Sequence, residues 1–139
     1  MATTFTSSGV ATGVMAKSLI GLNAVTATYN VDTAFVINDV VQMVKVPKGA
    51  KIVEIILACG ELDTGTNSLT LSVGDGTDAA RFISASTVGQ AGGVTRLAVA
   101  GGLGYVYTAN DTIDVKAAAA ANALATAADL TLTVVYELP

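Results

Sequence analysis

Asp75 and Asp78 are the residues whose types and spacing come nearest to a chemical site. They stand in the run Val73-Gly74-Asp75-Gly76-Thr77-Asp78, and close carboxylates with backbone carbonyls are the raw material of a Ca²⁺ loop. An EF-hand register also needs further oxygen ligands and a bidentate Glu at the twelfth position, and none follows. After an alternating strand the same run reads as a hairpin turn, because Asp and Gly tolerate positive φ. The turn is the preferred reading, with Asp75 and Asp78 kept as the metal candidates. Glu54, Glu61 and Asp63 offer the carboxylates that a glycosidase uses in pairs, but nothing in the sequence shows that any two meet across a cleft. Gly101-Gly102-Leu103-Gly104 lacks the Lys-Ser/Thr and the following helix of a phosphate loop. Cys59 closes the apolar run Ile55-Ile56-Leu57-Ala58 and reads as a buried thiol packing as a small hydrophobe. A nucleophilic thiol would want a cationic partner, and the chain has no His at all. The commonest general base and metal ligand is thus missing. No catalytic residue and no cofactor is expected.

The composition points away from pockets and toward surfaces. Of 139 residues, 52% are hydrophobic and only 13% charged, against roughly 25% charged in an average soluble domain. The exterior must therefore be largely Thr, Ser, Asn, Gly and Ala, or be covered by another subunit, and obligate interfaces are poor in Lys and Glu. The net charge is −4, and Lys45, Lys48 and Lys51 form the tightest basic group, around a turn, so nucleic acid is not an expected partner. A single Cys cannot form an internal disulfide. Residues 1–25 lack the basic start and unbroken apolar stretch of a signal peptide. The apolar stretch Ala117 to Ala128 is too short to span a bilayer and is interrupted by Asn122 and Thr126. A soluble protein without a membrane partner is expected.

The elements that would position these residues are strands. From Ala24 onward the dominant period is two: Val25, Ala27 and Tyr29 alternate with Thr26 and Thr28, and Leu130, Leu132, Val134 and Tyr136 with Thr131 and Thr133. Val40, Gln42, Val44 and Val46 alternate with Val41, Met43 and Lys45, and Lys51 to Cys59 reads as a central strand covered on both faces. Val46-Pro47-Lys48-Gly49 between these two runs predicts a hairpin built on a type I turn. Further strands are predicted at Leu69 to Val73, Arg81 to Ser86, Val94 to Val99, Tyr105 to Tyr107 and Thr112 to Lys116, with a flexible connection at Gly89 to Gly93. Residues 117–128 read as two strand ends joined by a small-residue loop, with a short Ala helix as the alternative. Eight or nine strands with turn signals predict an all-β antiparallel sandwich or barrel. Residues 1–22 form an extended N-terminal arm and lead-in, and residues 23–139 the β-sandwich domain. In the arm, Phe5, Val10, Val14 and Met15 are the candidate protein-interaction residues.

The whole pattern resembles the head decoration, or cement, proteins of tailed bacteriophages. The resemblance is carried by Val44 to Ile52 (VKVPKGAKI), Val73 to Ile83 (VGDGTDAARFI) and Asp129 to Tyr136 (DLTLTVVY), within residues 40 to 136. These motifs mark turns and strands rather than a site. The resemblance implies a jelly-roll-like sandwich, a homotrimer, and a seat on the outer capsid surface, where the protein would bind the major capsid protein and clamp neighbouring capsomers. It brings no catalytic residues with it. Other virion subunits (tail tube or head fibre) share the composition. A carbohydrate-binding sandwich module and a small sandwich enzyme are the alternatives from other classes.

Overall fold

The structure is a computed structural model that describes residues 2–7 and 21–139. Val10, Val14 and Met15 of the arm lie outside the described residues. Among the described residues the chain forms nine strands, one helical turn and one 3-10 turn. In chain order the strands are β1 (Thr4–Thr6), β2 (Gly21–Val31), β3 (Val40–Val46), β4 (Lys51–Cys59), β5 (Thr70–Gly74), β6 (Ile83–Ser86), β7 (Gly93–Arg96), β8 (Asp111–Ala119) and β9 (Ala128–Leu138). The helical turn α1 (Val88–Ala91) precedes β7.

Two sheets stack into an all-β sandwich. The front sheet runs β1-β3-β8-β5-β6 and the back sheet β2-β9-β4-β7. Every pairing is antiparallel except β1 with β3. From β2 onward the chain changes sheet at every connection but β5–β6. The core lies between the sheets. Leu130, Leu132, Val134 and Tyr136 of β9 are fully buried and meet Val41, Met43, Val73 and Ile113 of the front sheet in one cluster. Each such side chain contributes roughly 1.5–3 kcal/mol by leaving water.

Several local expectations are corrected by this arrangement. Pro47 to Gly49 does make a tight turn, with the Ala50 N–H donating to the Pro47 carbonyl at 3.1 Å and Gly49 at φ 91°. It is not a hairpin, because β3 belongs to the front sheet and β4 to the back. A turn reverses the chain, and the partners β8 and β9 then decide which layer each arm joins. β3 and β4 each carry a register shift, at Gln42/Val44 and Ile52/Glu54. These bulges switch the inward phase, so that Met43 and Val44 are both buried. On β4 only Ile52, Ile55 and Leu57 are fully buried, while Ile56 and Ala58 lie half-buried on the outer face. The strand is covered on one face rather than two.

The strands at 81–86 and 94–99 shorten to β6 and β7. Tyr105 to Tyr107 is no full strand but a ribbon along the start of β4, joined by bonds such as Ile52 N–H to the Tyr105 carbonyl at 2.9 Å and the single bridge Lys51–Val106. The flexible connection at Gly89 instead contains α1, and Gly89 is buried where a Cβ would stand 2.8 Å from Leu69 Cδ2. Residues 117–128 are two strand ends and a loop, as read from their composition.

Candidate assembly surface

The carboxylates singled out for chemistry are committed to holding loops. Asp75 is buried and accepts from the N–H groups of Thr77 and Asp78, from Arg81 Nε at 2.7 Å and its second nitrogen at 3.2 Å, and from the Tyr107 hydroxyl at 2.9 Å. Burial pushes its pKa up, but the Arg81 guanidinium and these other donors outweigh it and hold it below the usual carboxylate range. Arg81 stacks on Tyr105, 3.9 Å above the ring centre. Asp78 is exposed and caps the N–H of Ala80 at 3.1 Å. The Asp-Gly run is thus the turn of the β5–β6 hairpin, with Asp75 as its clasp. Cys59 is half-buried, and burial pushes its thiol up to about 11, so it stays protonated near neutral pH. Gly101 to Gly104 overlaps the 3-10 turn Ala100–Gly102 and opens no α-helix. Glu54 pairs loosely with Arg96 at 3.5 Å.

Two further carboxylates, Asp63 and Asp114, matter more to the structure. Asp63 is fully buried. One oxygen accepts from the N–H groups of Gly65, Asn122 and Ala123, and the other from Ser68 and Leu69. Burial alone would raise its pKa, yet the backbone N–H bonds drive it far below the ordinary value. Its two partner loops are about sixty residues apart in the chain, so no local motif marks it. Asp114 shares one face of β8 with Thr112 and Lys116, opposite the buried Ile113 and Val115. The loop after β5 folds over that face, leaving Asp114 9% exposed and its Oδ1 without a hydrogen-bond partner. Burial pushes its pKa up to about 6; the Thr112 hydroxyl opposes this and the nearby Asp111 and Asp75 charges reinforce it. Asp114, Asp75, Gln42 and Lys116 line a shallow cavity of about 250 Å³ on the front sheet. Among the described residues no group of three or more acidic, Cys or His side chains is placed to hold a metal ion.

The opposite, back-sheet face is broad, and its charged side chains, Asp129, Glu137, Lys51, Glu54 and Arg96, stand among threonines and aliphatic residues. Register places Thr26, Thr133, Ile56 and Arg96 in one row and Thr28, Thr131, Ala58 and Val94 in the next. The Thr26 and Thr133 hydroxyls are 2.8 Å apart, those of Thr28 and Thr131 3.0 Å, so each polar group is already satisfied within the sheet. A third row, Leu22–Glu137–Lys51–Val106, crosses the far end. The threonine rows and aliphatic side chains of this face suit contact with another protein.

Of the arm candidates, Phe5 is described. It sits half-buried in β1 against its own chain, with ring centres 5.6 Å from Tyr29 and 6.4 Å from Phe35. Asp39 fastens the segment by accepting the Thr3 N–H at 2.6 Å, and the Ser7 hydroxyl donates to the Met43 carbonyl at 2.6 Å. All four Tyr and three Phe of the chain are buried or half-buried, so no ring stands out as a stacking platform for sugars.

No protein-family model matches the chain, and no curated protein matches it either. Solved structures do. The chain is 27% identical to a chain of the cyanophage Pam1 capsid asymmetric unit, with a TM-score of 0.76 over 89% of this chain and 90% of that one. It is 26% identical to a chain of the capsid of Ralstonia phage GP4, with a TM-score of 0.71 over 91% of both chains. A chain of the acid-stable capsid of Helicobacter pylori bacteriophage KHP30 shares the fold at a TM-score of 0.54 and 22% identity, over 85% of this chain and 94% of that one. Through nearly its whole length, and in sequence as well as fold, this chain is similar to capsid-associated proteins of phages.

Proposed function

We propose that this chain is a structural subunit of a phage virion, seated on the outer capsid surface, where it clamps neighbouring capsomers. The observation that carries the reading is the end-to-end likeness to chains of two phage capsids at 27% and 26% identity, which covers the whole sandwich rather than a module within it. The site chemistry agrees: the buried carboxylates Asp63 and Asp75 are committed to loop donors. Clamping then works by surface burial at many copies. A standard interface buries about 1,600 Å², and an oligomer on a symmetric lattice multiplies modest contacts into firm attachment. A homotrimer would match a three-fold lattice position without any special residue. Tail-tube and head-fibre roles have less support, since the similar chains come from capsids.

The test is to mix the purified protein with phage heads lacking it and to image the particles by cryo-electron microscopy. Density for the sandwich on the outer shell, with greater resistance of the heads to heat, is expected. Heads that neither bind the protein nor gain stability would refute the role.

A further inference from the structure

Resting on the virion reading, we propose that the front-sheet cavity at Asp114 receives a lysine or arginine side chain of the shell protein. Asp114 stands on β8, the middle strand of the front sheet, between Gln42 of β3 and Gly74 of β5. A Cβ on Gly74 would collide with the Asp78 carbonyl, so the loop after β5 lies directly on the sheet beside Asp114. Asp75 fixes that loop through Thr77, Asp78, Arg81 and Tyr107. Asp114 is thereby nine-tenths buried, and its Oδ1 has no hydrogen-bond partner. It lines a cavity of about 250 Å³ together with Gln42, Gly76 and Lys116. Folded proteins leave few buried polar atoms unpaired, and an uncompensated buried charge opposes folding. A clasped loop that holds such a group at a cavity wall preorganises it for an incoming donor.

The chemistry of the occupant follows from charge. With its pKa raised by burial to about 6, Asp114 is ionised at neutral pH, and charge-assisted N–H donors are the strongest partners for a carboxylate. The carboxylate torsion is soft, so a small turn brings Oδ1 to a group in the cavity. The charged groups around it are Asp111 and Lys116 on β8, Lys45 on β3 beside Thr112, and Asp75 with Arg81 from the loop. Among the described residues the ion pairs are Arg81–Asp75 and Arg96–Glu54, so neither lysine neutralises Asp114. A metal ion suits the cavity less. Arg81, Tyr107 and loop amides occupy both oxygens of Asp75, which leaves one carboxylate for cations such as Ca²⁺ that take about six to eight oxygens. Both arginines of the chain are paired within it, and the virion reading seats the chain against the shell, which makes the shell protein the source. Such a pair lies out of water, where salt screens it little.

The test follows the full-length protein at about pH 7.5 by NMR of the amide groups of Gln42, Gly76 and Ala79, titrated with methylguanidinium, n-butylammonium or Ca²⁺. Saturable shifts with the organic cations are expected in the natural protein and not in Asp114→Asn. Binding to phage heads and oligomer mass are measured in parallel. Asp114→Asn should weaken head binding roughly tenfold or more, although removing the buried charge should stabilise the fold. Asp32→Asn, the same charge change at an exposed residue outside the cavity, should leave head binding unchanged. Binding of the natural protein should also fall as the pH drops through about 6, and that of Asp114→Asn should not. No saturable response to either organic cation, saturation by Ca²⁺ alone, or equal head binding by Asp114→Asn overturns the assignment; in the last case the virion reading stands. A change of oligomer mass rather than of head binding in Asp114→Asn would put a second copy in the cavity and overturn it too. If the natural protein answers the organic cations but binds no heads, the cationic site stands and the virion reading fails.

Discussion

Asp63 and Asp114 show how one residue type takes opposite electrostatic roles in one sandwich. Both are removed from water, which raises a carboxyl pKa. Asp63 is surrounded by backbone N–H donors and stays ionised, whereas Asp114 has an oxygen with no donor and holds its proton up to about 6. The consequences for stability have opposite signs. A depressed pKa, as at Asp63 and Asp75, contributes stability that is present above the unfolded value near 4 and is lost as the pH falls below it. A raised pKa, as at Asp114, favours the folded state only while the proton is retained. Its contribution therefore fades as the pH rises from about 4 to about 6 and is gone above that. At two pKa units this is about 3 kcal/mol. Asp114→Asn should accordingly be more stable than the natural protein at pH 7.5, by up to about 3 kcal/mol, and show little gain at pH 4. Urea unfolding at the two pH values checks this, and an equal effect at both would rule out the assigned titration.

Strands and turns carry their own lesson at Phe5 and at Pro47. The short strand β1 is held by three residues of parallel pairing with β3, by the Asp39 carboxylate, and by the Phe5 ring on Tyr29 and Phe35. Since backbone pairing of a three-residue edge strand is weak, the ring should be its main fastening. Phe5→Ala is expected to cost roughly 1–3 kcal/mol, less than a fully buried Phe would. It should also speed amide hydrogen exchange at Val40 and Gln42; unchanged exchange there would show that the backbone alone holds β1. The Pro47 turn was legible from residue types, and so were the inward residues of β2 and β9, where the alternation is unbroken over eleven residues each. The bulges in β3 and β4 were not legible. Val, Met and Ile on both faces leave no polar marker to show where the phase changes.

For the assembled particle, the proposed attachment by surface burial makes a statement about ionic strength. Contacts made by aliphatic and hydroxyl side chains gain little from long-range charge, and exposed ion pairs such as Glu54–Arg96 are worth at most about 1 kcal/mol each. Raising NaCl from about 0.05 M to about 1 M, where the screening length shrinks to about 3 Å, should leave the protein on the heads. Pelleting with heads reads the effect. Release of the protein by salt would mean that charge, not surface burial, holds it.

Composition and period were enough to establish an all-β sandwich with small-residue loops, a chain without the usual catalytic groups, and a resemblance to capsid-associated proteins. Each of these depends on local chemistry or on residue totals: alternation follows from the pleat, turns from Pro, Gly and Asp, and a missing base from a missing residue type. Tertiary structure decided which layer each strand joins, that Asp63 gathers two distant loops, and that Asp114 is buried. Those facts arise from pairing between segments far apart in the chain. The free energy of such pairing comes from the partner surface, which no local stretch of residues contains.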